Sequence, residues 1–276
     1  MPSPQIDCPN RPGRSLRRPS WIATFALVVL GTGGTCEQGA PPPPRAPIQF
    51  VVAVDMSTSL TPAERGNQQR LLKELAASLD FGDRLVLLKA HAAGVRSDTS
   101  TVHVVAMPAV KGEPLRSQAE ELEMGRGRAE RAAKRMFQTE QAKGTDLLST
   151  LYTAGERARE TTGARTVLVL LSDMLHCADS ICMEPPGEVP DSTWVAARTE
   201  AGRMPGLDGI CIVTVGADVS TDHGVRVREF WRRYFRATGA DFSESRYVHG
   251  ASSAAMLRCG LPGGGSPATV TRGASG

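Results

Sequence analysis

FVVAVDMSTSL, residues 50–60, is the segment from which the architecture of the chain can be predicted. Residues 50–54 are apolar and rich in valine, which is typical of a strand buried on both faces of a sheet. Three oxygen-bearing side chains then follow at alternate positions, namely Asp55, Ser57 and Ser59. The segment therefore predicts a central strand that ends in a polar loop.

A helix begins directly after this loop, and its own residues can cap it. TPAE at residues 61–64 has the form of a capping box with proline at the first helical position. Ser57 and Ser59 are therefore not needed as caps, and their hydroxyls are free to bind a hard cation such as Mg²⁺. The alternative is a polar loop whose hydroxyls bond to its own backbone.

Strand-like and helix-like segments alternate through the rest of the chain. Further apolar strands are predicted at residues 84–90, 100–107, 165–171 and 209–216. Helices are predicted at residues 65–79, 115–138, 147–160, 192–203 and 225–237, and Gly125 and Gly127 are expected to bend or break the second of them. This order predicts an α/β fold of three layers, with a mainly parallel central sheet and helices on both faces.

Two more polar groups fall where such a sheet would bring them towards Asp55. Asp173 follows the apolar segment at residues 165–171, and Thr145 precedes a helix. Right-handed crossovers place strand ends that lead into helices along one rim of the sheet. If the two strands are neighbours, three hydroxyls and two carboxylates meet there, which predicts a site for one Mg²⁺ or Mn²⁺ ion.

With these residues in place, residues 48–250 resemble a von Willebrand factor A domain. The metal-ion-dependent adhesion site of that family has the pattern D-x-S-x-S, then a distant Thr and a distant Asp, matched here by Asp55, Ser57, Ser59, Thr145 and Asp173. The resemblance implies that the three hydroxyls contact the metal directly or through water. It implies that the two carboxylates supply charge through waters and hydrogen bonds, and that an acidic side chain of a protein partner completes the coordination.

The resemblance has one departure, because the family commonly has Asp-Gly where this chain has Asp173-Met174. Met174 could alter the loop that frames the metal, which concerns affinity rather than fold. The resemblance implies a metal-dependent protein-interaction module, and not an enzyme. The N-terminal sequence described below predicts that this module belongs to the bacterial cell envelope. One alternative is a Mg²⁺-dependent hydrolase with Asp55 as nucleophile, although phosphatases of that kind need an acid where Ser57 stands. The other is an envelope scaffold that has lost the ion.

The N-terminus has the pattern of an export signal, with four arginines before a short apolar core at residues 21–30. Residues 1–36 are predicted to be a signal peptide or lipoprotein signal, with Cys36 as the candidate lipid attachment site. Cleavage after Ala40 and an uncleaved anchor are the alternatives. The protein is expected in the periplasm, or attached to the membrane and facing outwards.

The remaining domain boundaries follow from composition. We expect residues 37–47 to form a proline-rich linker, residues 48–260 to form the folded domain, and residues 261–276, which are rich in Gly, Ser, Pro and Thr, to be a disordered tail. The net charge of +3 is too small to predict binding to nucleic acid.

Four cysteines of the folded domain are candidates for disulfides. Cys177 and Cys182 flank a short loop, and in an exported protein a local disulfide is the leading interpretation. A zinc site made with His176 is the alternative, but it lacks a fourth ligand. Cys211 and Cys259 could pair, or Cys211 could be a buried free thiol.

Overall fold

The computed structural model of the protein describes residues 45–91, 101–110, 115–138, 141, 143–251 and 253–259. The predicted signal segment with Cys36, residues 37–44 of the linker, and the C-terminal tail lie outside these residues.

The central layer is a mixed sheet in which most neighbouring strands are parallel. The strands of the described chain are β1 (Ile48–Asp55), β2 (Arg84–Ala90), β3 (Thr101–Ala106), β4 (Arg165–Leu171), β5 (Cys177–Ala178), β6 (Ile181–Cys182), β7 (Cys211–Val215) and β8 (Tyr247–Val248). Six of them form one sheet in the order β3-β2-β1-β4-β7-β8, and β5 pairs with β6 in a separate hairpin. Only β3 runs antiparallel in the main sheet, at one edge.

Helices cover both faces of this sheet and complete three layers. They are α1 (Pro62–Ala77), α2 (Leu115–Met136), α3 (Leu147–Arg159), α4 (Ser192–Glu200) and α5 (Asp222–Ala237). Apolar side chains of α1 and α2 share one core with the sheet, and those of α3, α4 and α5 share the other. The predicted three-layer α/β fold is confirmed.

β1 lies in the middle of the sheet, and this position explains why its residues are apolar on both faces. All eight of its residues are buried. Phe50, Val52 and Val54 enter the core with α1 and α2, whereas Val51 and Ala53 enter the opposite core. Burial of each large apolar side chain contributes about 1.5–3 kcal/mol, so both cores stabilise this strand.

The parallel strands also place their carboxyl ends along one rim. Val54 pairs in register with Leu171 of β4, and Leu171 pairs with Val215 of β7. Asp55 and Ser172, one residue further along, therefore emerge side by side. This rim is where the sequence predicts the metal site.

From the sequence, Gly125 and Gly127 are expected to bend or break the second long helix. The predicted break is wrong, because α2 is continuous. Gly125 lies where α2 approaches the end of β3. A Cβ atom at this position would lie 3.0 Å from the sulfur of Met107. The glycine therefore permits close packing of helix and sheet, which local propensity does not reveal.

Asp83, just before β2, is a fully buried carboxylate that ties the start of β1 to the neighbouring turn. It accepts hydrogen bonds from the backbone N–H groups of Ile48 and Asp80, both at 2.9 Å, and from Arg45 at 2.6 Å. We expect Asp83→Ala to lower the free energy of unfolding by about 2–3 kcal/mol, because it leaves buried donors without an acceptor. Chemical denaturation measures this loss.

Glu120→Ala is the matched control for this change. Glu120 is 68% exposed and pairs with Arg116 on the surface of α2, so its removal should cost less than about 0.5 kcal/mol. Equal stability of the two variants would contradict the structural role assigned to Asp83.

Candidate metal centre

Asp55 is the anchor of the rim, and its side chain is 1% exposed. Its Oδ1 accepts hydrogen bonds from the backbone N–H of Ser57 at 2.8 Å and from the hydroxyl of Thr145 at 3.0 Å. Its Oδ2 accepts a hydrogen bond from the hydroxyl of Ser172 at 2.6 Å. One carboxylate at the end of β1 thus fixes three other segments of the chain.

The remaining predicted site residues continue this network. The hydroxyl oxygens of Ser57 and Ser59 lie 2.7 Å apart, and Ser59 donates a hydrogen bond to Oδ2 of Asp173 at 3.4 Å. All five side chains named from the sequence, Asp55, Ser57, Ser59, Thr145 and Asp173, are therefore linked at one place.

The helix that follows β1 is capped as the sequence predicts, which leaves these serines free. Thr61 accepts a hydrogen bond from the N–H of Glu64 at 3.3 Å, and the carboxylate of Glu64 accepts one from the N–H of Thr61 at 2.8 Å. Neither Ser57 nor Ser59 caps α1.

Thr145 is held by the turn that leads into α3. Gly144 adopts φ +75°, which reverses the chain before Thr145. Asp146 caps α3 by accepting a hydrogen bond from the N–H of Ser149 at 2.9 Å, so this carboxylate is oriented towards the helix. The backbone oxygen of Thr145 accepts a hydrogen bond from the N–H of Cys177 at 2.9 Å, which ties the turn to the β5–β6 hairpin.

The electrostatics of the rim favour a cation. Burial raises the pKa of Asp55, and burial together with the negative charge of Asp55 raises the pKa of Asp173 to about 7. Within the described part of the chain, no Lys, Arg or His forms an ion pair with either carboxylate. Two adjacent acids and three hydroxyls are a donor set that fits Mg²⁺ or Mn²⁺, which would balance both charges.

Ser172 is a site residue that sequence reasoning missed. Its hydroxyl donates to Asp55, and its oxygen accepts a hydrogen bond from the N–H of Met174 at 3.0 Å. Ser172 thereby connects the β1 and β4 ends of the rim. The available signal was a hydroxyl residue at the end of an apolar strand, directly before Asp173.

Comparisons with known proteins give only distant structural similarity. No family model and no curated protein matches the chain. The pilus adhesin SpaC from Lactobacillus rhamnosus GG is 14% identical with a TM-score of 0.39, and the match covers 77% of this chain and 29% of the adhesin. Manganese-loaded TRAP protein from Plasmodium vivax is 11% identical with a TM-score of 0.37, and the match covers 77% of this chain and 72% of that one. For von Willebrand factor type A from Catenulispora acidiphila the identity is 13%, the TM-score is 0.32, and the match covers 70% of this chain and 43% of that one. The chain thus spans under a third of the length of the adhesin.

Similarity at this level does not say what the chain binds. For the type of fold, the order of the strands and the position of the D-x-S-x-S motif at the end of β1 are stronger evidence than these similarities. The fold is von Willebrand factor A-like. The resemblance predicted from the sequence is confirmed at the level of the fold.

Met174 is the position at which this von Willebrand factor A-like domain departs from the family motif. It adopts φ +67°, a left-handed conformation that favours glycine. Its side chain is nevertheless fully buried in the core with α5, and its backbone oxygen accepts a hydrogen bond from the indole of Trp231 at 2.8 Å. Packing of the side chain therefore holds a backbone conformation that glycine would adopt without strain.

This arrangement predicts an unusual order of stabilities. Met174→Ala and Met174→Gly both remove buried atoms and should destabilise the domain by about 2–4 kcal/mol. Glycine alone relieves the left-handed strain of about 1–2 kcal/mol, so we expect the Gly variant to be about 1 kcal/mol more stable than the Ala variant. Urea denaturation of both variants tests this order. An Ala variant that is the more stable would show that position 174 carries no such strain.

The cysteines of the domain form two disulfides in the structure. Cys177 pairs with Cys182 across the β5–β6 hairpin, and Cys211 of β7 pairs with Cys259. Glu184 lies close to the first pair, but sulfurs bonded to each other are not thiolate ligands for zinc. The geometry gives the zinc alternative no support.

No helix in the described part of the chain combines the length and the apolarity that crossing a bilayer would require.

Proposed function

We propose that this domain binds a protein partner through one divalent cation, Mg²⁺ or Mn²⁺, at the carboxyl rim of its sheet. The observation that carries the proposal is the cluster of two carboxylates and three hydroxyls, in which Asp55 and Asp173 lack a cationic partner among the described residues. Ser57, Ser59 and Thr145 would hold the ion, and the two acids would balance its charge. When bound, an ion held in this way would offer a coordination position that a carboxylate of the partner could fill.

The surface beside the rim suits a docked chain. A cavity of about 430 Å³ adjoins Asp173 and is lined in part by the apolar side chains of Leu175, Pro185 and Val227. A partner residue next to the coordinating acid could bury apolar surface there, which would add affinity that the metal alone does not provide.

The geometry weighs against the hydrolase alternative. A nucleophilic carboxylate must offer a free oxygen to the substrate. Both oxygens of Asp55 instead accept hydrogen bonds, and the side chain is almost completely buried. Asp55 is placed to orient other groups rather than to attack a phosphorus atom.

The cellular setting is proposed from the N-terminal sequence alone. Residues 1–36 would direct export of the domain at residues 48–260. If the N-terminal segment stays in the membrane, residues 37–47 would act as a spacer. If it is cleaved, the domain would be released into the periplasm. Lipidation of Cys36, signal cleavage and an uncleaved anchor predict different fates for the same segment. Metabolic labelling with a fatty acid, in the natural chain and in Cys36→Ala, distinguishes the first from the other two.

Metal-dependent capture of a partner tests the proposed function. The full chain is immobilised and exposed to envelope extract in Mg²⁺, and bound protein is eluted with EDTA. We expect a partner that elutes with EDTA and does not bind a Ser57→Ala bait. A partner that stays bound in EDTA and also binds the Ser57→Ala bait would contradict the proposal and favour a metal-free scaffold. Phosphatase turnover that disappears in Asp55→Ala would favour the hydrolase.

A further inference from the structure

A second cavity lies between α3, the β5–β6 hairpin and α4, and the proposed metal site does not use it. Its volume is about 520 Å³, which is within the range of small-molecule sites. We call it the α3–α4 cavity. Its lining is mostly polar, with Leu148, Ala178 and Ile181 as apolar exceptions.

The charges of this cavity are separated by structural element. Asp146 and Glu156 of the α3 segment and Asp179 of the hairpin supply negative charge, whereas Arg198 of α4 and Arg203 just beyond it supply positive charge. In the described part of the chain, none of these acids forms an ion pair with either arginine. Acidic groups of the α3 segment and the hairpin thus share this cavity with two arginines of the α4 segment, without forming ion pairs with them.

The floor of the cavity contains polar atoms without partners. His176 is 3% exposed, and its Nδ1 finds no hydrogen-bond partner among the described residues. The nearest carboxylate oxygen belongs to Asp146 and is 3.9 Å away, beyond hydrogen-bond reach. Burying such an atom unpaired is unfavourable, so the structure leaves an unsatisfied polar group beside the cavity.

Arg198, one of the two arginines, shows the same deficiency. Its guanidinium stacks over Trp194 at 4.8 Å and donates one long hydrogen bond, of 3.4 Å, to the hydroxyl of Tyr152. Its buried Nε has no partner in the described structure. A guanidinium is a planar fork of donors, and such a fork suits a carboxylate.

We propose that the α3–α4 cavity binds a small zwitterion, namely a free amino acid or a short peptide with free termini. The ammonium group would face Asp146 and Asp179, and the carboxylate would face Arg198 and Arg203. A ligand with only one charge would leave one set of charged groups unpaired. The lining of the cavity contains none of the five residues of the proposed metal centre, although Asp146 directly follows Thr145.

The full chain is screened by thermal shift against the standard amino acids and a set of free dipeptides. Each hit is then titrated calorimetrically, together with its N-acetylated and its carboxamide derivatives. We expect saturable binding of at least one free compound and a loss of at least about tenfold in affinity when either end is blocked. Absence of any saturable hit, or equal affinity of the blocked derivatives, would overturn the proposal.

Variants locate the binding. Arg198→Gln should weaken affinity for the hit by at least about tenfold, and Tyr152→Phe, which keeps the ring, should weaken it less. Arg116→Ala, on the exposed surface of α2, is the matched control and should bind normally. Binding that persists in Arg198→Gln but disappears in Ser57→Ala or in EDTA would place the ligand at the metal centre instead, and would overturn the assignment to this cavity.

Discussion

Ser57→Ala should weaken the binding of Mg²⁺ or Mn²⁺ by about 10- to 100-fold, as measured by isothermal titration calorimetry of the full chain. The hydroxyl of Ser57 is 1% exposed and lies 2.7 Å from that of Ser59, in the middle of the rim network. Its removal deletes one of the three hydroxyls that would hold the ion. The titration is best run at pH 8, above the pKa of about 7 of Asp173, so that protons do not compete with the ion.

Thr145→Ala should have an effect of the same kind, because its hydroxyl is fully buried and is oriented by Asp55. The matched control is Ser192→Ala, which removes an exposed hydroxyl at the start of α4 and should bind the ion normally. Unfolding measured in EDTA separates loss of the ion from loss of the fold. The proposed metal centre would be contradicted if the natural protein gave no heat of binding with Mg²⁺ or Mn²⁺. It would also be contradicted if all variants bound the ion equally well.

The parts of the site that sequence could predict are those with a local signal. The buried run of β1, the capping box at Thr61 and the alternation of Asp55, Ser57 and Ser59 are all contained in one short segment. Their meeting with Thr145 and Asp173 also followed, because parallel strands bring their carboxyl ends to one rim. The sequence thus predicted which segments meet.

Other features depend on contacts that no local pattern reports. Ser172 donates to Asp55, which is 117 residues away, and the left-handed Met174 is held by packing and by Trp231. The close approach of α2 to the sheet at Gly125 involves Met107, which follows β3 and is distant in sequence from Gly125. The very short strands β5, β6 and β8 carry too few residues for a period to be read. These features depend on contacts between residues that are distant in sequence, and the local sequence does not report such contacts.

Loss of the Cys211–Cys259 disulfide should be the largest single change in the stability of the domain. The bond joins residues 48 positions apart, and a loop of this length corresponds to about 4 kcal/mol in the chain-entropy account of disulfides. Cys177 and Cys182 are only 5 positions apart, for which the same account gives about 2 kcal/mol. The longer bond also fastens the last described turn to β7, and Leu257 of that turn is fully buried in the core with α1.

The two bonds can be separated by working in a Cys177→Ala/Cys182→Ala background. In that background, reduction should lower the free energy of unfolding by about 4 kcal/mol, because it opens the Cys211–Cys259 loop while both sulfurs stay in place. A Cys211→Ala/Cys259→Ala variant should lose at least as much, since it also removes a buried sulfur from the core. Mass analysis of the alkylated protein counts the free thiols in each sample. If reduction leaves the unfolding midpoint of the background variant unchanged, the bond either does not form or does not constrain the unfolded chain. In that case the C-terminal turn must be held by its apolar contacts and by the hydrogen bond from Arg258 to the backbone oxygen of Ser78, which is 2.6 Å long.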